Sequence, residues 1–246
     1  MKKLKCIDAF TLRCIAMALM LCDHLWAVLP FNAPWLTAVG RLAFPIFAFQ
    51  IAEGFAHTSD RKRYLKRMFG FALLSEVPFN LLTGGALFNP VHQNVMFTFL
   101  IALLLMCRME KAHAVAPRWR YLLCCAGSGI IGFVCGYLLM VDYYGVGVLT
   151  VLVFYWTRGR RFAPLWQTAA LWWLNWEMLG GFGWPVLLGG TEVFIPQQGL
   201  ALLALPLIWL YNGRRGRYGK TLQTVYYSFY PAHMLVLALL GLFFWQ

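Results

Sequence analysis

Residues 8–29 read DAFTLRCIAMALMLCDHLWAVL, an apolar run of membrane-spanning length that nevertheless holds Arg13, Asp23 and His24. A helix needs about 20 such residues to cross the hydrocarbon core of a bilayer. Eight further apolar stretches follow, at 35–56, 64–83, 91–107, 121–141, 143–157, 162–180, 194–211 and 222–244. The whole composition agrees. At 61% hydrophobic and 12% charged, with a mean hydropathy of +0.64, the chain departs from soluble domains, which run at roughly 45–50% apolar and about 25% charged. Disorder requires low hydrophobicity and high charge, so it is excluded too. The expectation is an all-α fold: one domain over residues 1–246, a polytopic bundle of nine transmembrane helices.

The 21 basic and nine acidic residues leave a net charge of +12 and a pI near 9.6. In a soluble protein that balance points to nucleic acid, but here the placement of the charges matters more. Nearly all Lys and Arg fall in five clusters, at residues 2–5, 61–67, 108–120, 158–161 and 214–220. Two apolar stretches separate each cluster from the next, and the turn between those two carries no Lys or Arg. This is the positive-inside pattern. It predicts a multi-pass protein of the cytoplasmic membrane with lipid, not nucleic acid, around it, a cytoplasmic amino terminus and an outer carboxyl terminus. The first apolar run is longer than a signal-peptide core and is expected to stay as helix one. Glycines and prolines interrupt residues 162–211. Two crossings fit that region, with Gly181 to Val193 as an outer, partly re-entrant loop.

Motifs of the common soluble enzymes are absent: the sequence holds no P-loop, no G-x-S-x-G, no H-E-x-x-H and no internal repeat. The seven cysteines form no C-x-x-C pair and read as buried free thiols rather than as metal or disulfide chemistry.

Charged residues inside spans carry more information, because each costs about 2.5–3.5 kcal/mol at a helix centre even on the lenient insertion scale. Arg13 and Arg41 stand outside the basic clusters and need partners. Depth along antiparallel helices pairs Arg13 with Glu53, and Asp23 or His24 with Arg41. Such pairs also serve to lock two helices together. Arg13 and His24 are eleven positions apart, which places them about 20° apart around the helix and about 16 Å apart along it. An imidazole at that depth suits a general base, and a guanidinium nearer the cytoplasm suits a carboxylate or a phosphate-bearing ligand. Glu76 and His233 lie at similar depths on their helices and are expected to face one cavity. Asn80, Asn94, Thr98, Asp142 and Glu177 are further polar positions in or at spans.

With these residues in view the sequence resembles the TraX family. The matching stretches are Leu12 to His24, Gly40 to Gly54, Tyr64 to Phe79, Gln93 to Thr98, Asp142 to Gly145, and the Phe-Tyr-Pro-Ala-His of Phe229 to His233. The Arg, ten residues, His arrangement is also similar to that of acyltransferase-3 membrane enzymes. The resemblance implies an acetyltransferase using acetyl-CoA to acylate an amine or hydroxyl, the amino terminus of pilin being the acceptor for which the family is known. It implies that His24 is the catalytic base, or the site of an acyl-histidine relay, and that Arg13 is a donor-site or structural partner. Arg41, Glu53, Glu76, Tyr230 and His233 become substrate-binding positions. Lys62, Lys66 and Arg67 would meet the phosphates of acyl-CoA at the cytoplasmic mouth. No metal is implied. The same buried charges would also suit a small transporter or flippase, or a non-catalytic subunit of a conjugation assembly.

Overall fold

Asp8 begins the first helix, its carboxylate accepting the Thr11 N–H at 2.8 Å, which satisfies one of the free amides that every helix start presents. In the computed structural model, which describes residues 5–30, 33–217 and 219–244, this helix, α1, spans Ala9–Val28. Lys2 and Lys3 of the first basic cluster lie outside the described residues.

The expected second span is two helices, α2 (Pro34–Gly40) and α3 (Ala43–His57), broken at Arg41. The break follows from contact. A Cβ at Gly40 would overlap Asp23 of α1, so only glycine lets α2 come this close, and the turn that follows delivers Arg41 beside Asp23. Next come α4 (Arg61–Gly84), capped by Asp60 and ended by left-handed Gly85, then α5 (Val95–Val115) and α6 (Arg118–Leu138). The fourth span thus begins later than expected and runs two turns further, because Asn94 caps it by accepting from Met96 N–H.

The innermost helix is α7, Tyr144–Thr157, with Val146, Val148, Val151 and Leu152 fully buried. It crosses α6 at close range: a Cβ on Gly145 would overlap the Phe133 backbone, and one on Gly136 would meet Gly145. Small residues that let two backbones approach are the usual device for packing helices in lipid, where water supplies no hydrophobic drive between them. By contrast α6 turns Leu122, Leu123, Ile130 and Val134 outward, and α10 (Lys220–Phe244) does the same with Val236, Leu239 and Leu242. So much exposed apolar surface is what a lipid-facing helix presents. Among the described residues four stretches are long and apolar enough to cross a membrane by length and composition: Ala9–Val28, Pro34–His57, Arg118–Leu138 and Thr221–Leu242.

Residues 162–211 depart furthest from expectation. Helix α8 (Ala163–Trp172) runs into a π-helical turn, Trp173–Met178. The stretch expected as an outer, partly re-entrant loop is a β-hairpin, β1 (Gly183–Leu188) against β2 (Thr191–Pro196), so the fold is mostly but not wholly helical. Gly189 and Gly190 turn the hairpin with φ of 58° and 87°, the left-handed pair that a two-residue turn demands. A 3-10 turn (Gln197–Leu203) and the short α9 (Ala204–Trp209) complete the region.

The four basic clusters among the described residues gather at one end of the bundle. Arg61 pairs with Glu110, Arg158 pairs with Glu53, and the backbone of Ile7 pairs with residues 210 and 212. At the opposite end Gln93 exchanges backbone hydrogen bonds with Met140 and Asp142. The cysteines are free, but Cys6 and Cys14 are exposed and the other five half-buried, so the expectation of buried thiols is not met.

Candidate functional site

On α1 the eleven-residue spacing puts His24 three turns above Arg13 on one face, and α10 packs beside that face. His24 Nδ1 is 2.7 Å from His233 Nε2. The ring planes are 2° apart and the centroids 4.9 Å apart. That centroid separation exceeds the N···N distance by about two ring radii, so the imidazoles meet edge to edge in one plane rather than face to face.

The direction of this hydrogen bond follows from the next one. His233 Nδ1 is 2.6 Å from the backbone oxygen of Phe229, and a carbonyl can only accept. The proton of a neutral His233 is therefore assigned to Nδ1, which leaves Nε2 as an acceptor. His24 must then donate from Nδ1, so its own Nε2 carries the free lone pair. Among the described residues His24 Nε2 makes no hydrogen bond. Pro231, two residues after Phe229 within α10, lacks the backbone N–H that would otherwise bond the Tyr227 carbonyl one turn earlier. The result is a fixed donor chain that ends in an oriented proton acceptor.

Around the pair lies a polar layer. Arg41 Nη2 meets Asp23 Oδ1 at 2.7 Å and Thr37 Oγ1 at 2.8 Å, and the Thr37 hydroxyl donates to Asp23 at 2.6 Å. Of the two partners expected for Arg41, Asp23 is the one it takes. The network continues through Gln198, which accepts from Arg41 at 3.4 Å and donates to Asn175 at 3.0 Å. Asn175 sits in the π-helical turn, a distortion that often marks functional positions. Asp142 lies within electrostatic reach of both His24 and Arg41. Tyr230 is buried beside His233, with ring centroids 5.9 Å apart, and interacts with Asp142 and Glu76.

Glu76 is held by Asn94 through one carboxylate oxygen, Oε2. The other, Oε1, is buried without a partner among the described residues, as are both polar atoms of Asn80 one turn further along α4. Buried polar atoms are normally satisfied, so this side of the layer has hydrogen-bonding capacity to spare. His92 Nε2 closes the outer side, 3.6 Å from Asp142. That carboxylate holds the His92 imidazole above its ordinary pKa, with burial opposing it.

Below the histidines a narrow apolar crevice of about 70 Å³ runs between α1, α5 and α10. Met17, Met20, Met96, Phe99 and Phe229 line it, together with Arg13 and Tyr230. It ends one helical turn short of the pair, at Met20 on one side and Phe229 on the other. Arg13 is its one charged wall. The guanidinium lies 4.9 Å over the Tyr226 ring, with Nε 3.5 Å from Gln50 Oε1.

The expected pairing of Arg13 with Glu53 is wrong. Glu53 is held instead by Arg158 at 2.8 Å and by His57 at 3.0 Å, on the basic face between α3 and α7. Depth along α1 and α3 matched, but a helix has a circumference as well as a depth, and Gln50 rather than Glu53 turns toward Arg13. Lys62 and Lys66 are exposed on α4, and Arg67 packs over Tyr64 and Tyr227 at 5.5 and 4.9 Å. Thus the structure brings His24, His233, Tyr230, Arg41 and Glu76 into one layer and sets Arg13 at the base of the crevice. Glu53, Lys62, Lys66 and Arg67 lie apart from that layer. The sequence reading missed Thr37, Gln198, Asn175 and His92. Gln198 and Asn175 were detectable as polar side chains in otherwise apolar segments.

The TraX protein family matches residues 9–241, which takes in every residue of this layer and the crevice. The chain belongs to the TraX family. It is also similar to a probable fimbrial assembly protein FimC, serogroup H1, of Dichelobacter nodosus, with 28% identity over 250 residues covering 94% of each chain. No solved structure matches it. A TraX chain with four apolar stretches of spanning length among its described residues is a membrane protein.

Proposed function

We propose that this TraX protein is an acyltransferase of the cytoplasmic membrane, crossing it nine times with its amino terminus inside, and that His24 is its general base. The observation that carries this reading is the direction of the histidine pair. A carbonyl fixes His233, His233 fixes His24, and the one lone pair left free belongs to His24 Nε2. The logic is that of a base oriented by a third group. His24 Nε2 takes the proton of an acceptor amine or hydroxyl as that group attacks the acyl carbonyl, and His233 stabilises the imidazolium that forms. The proton then passes to the departing thiolate.

The donor is acetyl-CoA, which supplies the acyl group as a thioester. Its fit rests on the crevice, whose Arg13 stands at the basic end and whose apolar walls stop one turn short of His24. Arg13 would hold the polar part of the donor, with Lys62, Lys66 and Arg67 adding positive charge at that end of the bundle. The spare oxygen of Glu76 and the amide of Asn80 would receive the acceptor, for which a pilin amino terminus is the family precedent.

The test is product mass spectrometry after incubating membranes with isotope-labelled acetyl-CoA, with and without the purified protein. Protein-dependent label on a membrane component supports the reading, and no labelled product together with no release of free CoA thiol overturns it. The relative described as an assembly protein favours one other reading, a non-catalytic subunit of a pilus assembly. That reading gains if the protein co-purifies with assembly components while neither product forms.

A further inference from the structure

On the basic end of the bundle, away from the crevice, a solvent-open cleft of about 400 Å³ lies between the α5–α6 turn and the α7–α8 turn, lined by His113, Ala116, Arg118, Tyr121, Leu122 and Arg160. We propose that this cleft binds the phosphate headgroup of an anionic phospholipid. The proposal goes beyond acyl transfer and stands apart from it.

Three features point to an anion. No carboxylate among the described residues lines the cleft. Among the described residues neither Arg118 nor Arg160 enters an ion pair, whereas nearby Arg61 and Arg158 are engaged by Glu110 and Glu53. Positive charge left unbalanced around a concavity recruits a counter-ion. The third feature is the helix itself: α6 starts at Arg118 behind Pro117, with no side-chain cap. The first amides of a 21-residue helix are therefore free at the same place, and these together with the helix dipole favour a phosphate.

The surroundings select a lipid over a soluble phosphate. Directly beyond the cleft, α6 presents Leu122, Leu123, Ile130 and Val134 outward, a strip on which acyl chains can lie while the headgroup stays with the arginines. Trp119 stands at the same level, 58% exposed and stacked under the Arg120 guanidinium, the placement of an aromatic anchor at a membrane interface. Basic recesses between helix ends are where anionic headgroups bind.

The experiment is native mass spectrometry of the full chain released from nanodiscs of equal phosphatidylglycerol and phosphatidylethanolamine. Wild type should retain phosphatidylglycerol preferentially, and Arg118→Gln combined with Arg160→Gln should lower that preference by roughly tenfold or more, since each basic residue at an interface contributes about a fivefold factor. Arg63→Gln with Arg214→Gln removes the same charge elsewhere and should keep the preference. Should the double variant fail to fold, Arg160→Gln alone, in a surface turn, should give a smaller loss in the same direction. Equal preference in wild type and either cleft variant overturns the proposal. So does inorganic phosphate that binds in an Arg118- and Arg160-dependent way without any preference between the lipids, which would make the site one for a soluble anion.

Discussion

His24 and His233, 209 residues apart in sequence, share a 2.7 Å hydrogen bond whose direction is fixed by the Phe229 carbonyl on the far side of His233. The two histidines therefore have unequal roles. His24→Ala should lower acyl transfer by about 10²-fold or more, as expected for loss of a general base, with the protein still folded. His233→Ala should lower kcat by less and leave the KM for donor little changed, because it removes orientation rather than contact with substrate. His233→Gln offers a side-chain oxygen that still accepts from His24 Nδ1 and should recover part of kcat, whereas His233→Phe should not. Identical kcat values for the Gln and Phe variants would show that the hydrogen bond is not what matters.

Much of this arrangement was legible in the sequence for a physical reason. Burying a charge in lipid costs so much that Asp23, Arg41 and Glu76 had to serve some purpose, and helical periodicity put Arg13 and His24 on one face. Asp23 does meet Arg41 at 2.7 Å. What periodicity within one helix does not carry is rotation between helices. That is why Glu53, matched to Arg13 by depth, turned out to face Arg158. The hairpin was missed for a different reason. The many glycines and prolines between Gly180 and Pro196 mark Gly181 to Val193 as an outer loop, and within that loop the Gly189–Gly190 pair, which turns two short strands onto each other, is one glycine signal among several.

The corrected pairing is open to a double-mutant cycle. Glu53→Gln and Arg158→Gln should couple by about 0.5–1 kcal/mol in thermal stability, a modest value because Arg158 is partly exposed at the surface and the contact is 2.8 Å. Glu53→Gln and Arg13→Gln should be additive. Arg13→Gln should instead raise the KM for acetyl-CoA, since Arg13 lines the crevice. Coupling between Arg13 and Glu53 as large as that between Arg158 and Glu53 would restore the pairing read from depth.

The contact between His92 and Asp142 makes part of the stability depend on pH. His92 lies in the connection before α5, and Asp142 raises its pKa above the ordinary value near 6.5. A raised folded-state pKa means the folded protein holds the proton more tightly than the unfolded chain. The stabilisation is therefore complete below about pH 6.5 and fades as pH rises through the higher folded-state value. Asp142→Asn keeps an oxygen for the Tyr143 N–H but loses the charge. The difference in melting temperature between wild type and Asp142→Asn in detergent should shrink from mildly acidic to mildly alkaline pH. A difference that stays constant across that range, or grows, rules out His92 as the group responsible.

Topology is tested where the structure puts the two ends furthest apart. The basic clusters converge through Arg61 with Glu110 and Arg158 with Glu53, while the β1–β2 hairpin returns the chain at the other end, next to Gln198, the partner of Arg41. If the basic end is cytoplasmic, as an excess of Lys and Arg dictates, the tip of the hairpin is outside. In a background with its seven cysteines replaced, a single cysteine at Glu192, an exposed position on β2, should react with a membrane-impermeant maleimide in intact cells. One at Lys111, exposed near the end of α5, should react only after the cells are opened. Both positions sit at the surface, so a difference between them reflects the side of the membrane rather than burial. Reaction of both in intact cells, or of Lys111→Cys alone, would overturn the nine-crossing arrangement and with it the route by which a cytoplasmic donor reaches Arg13.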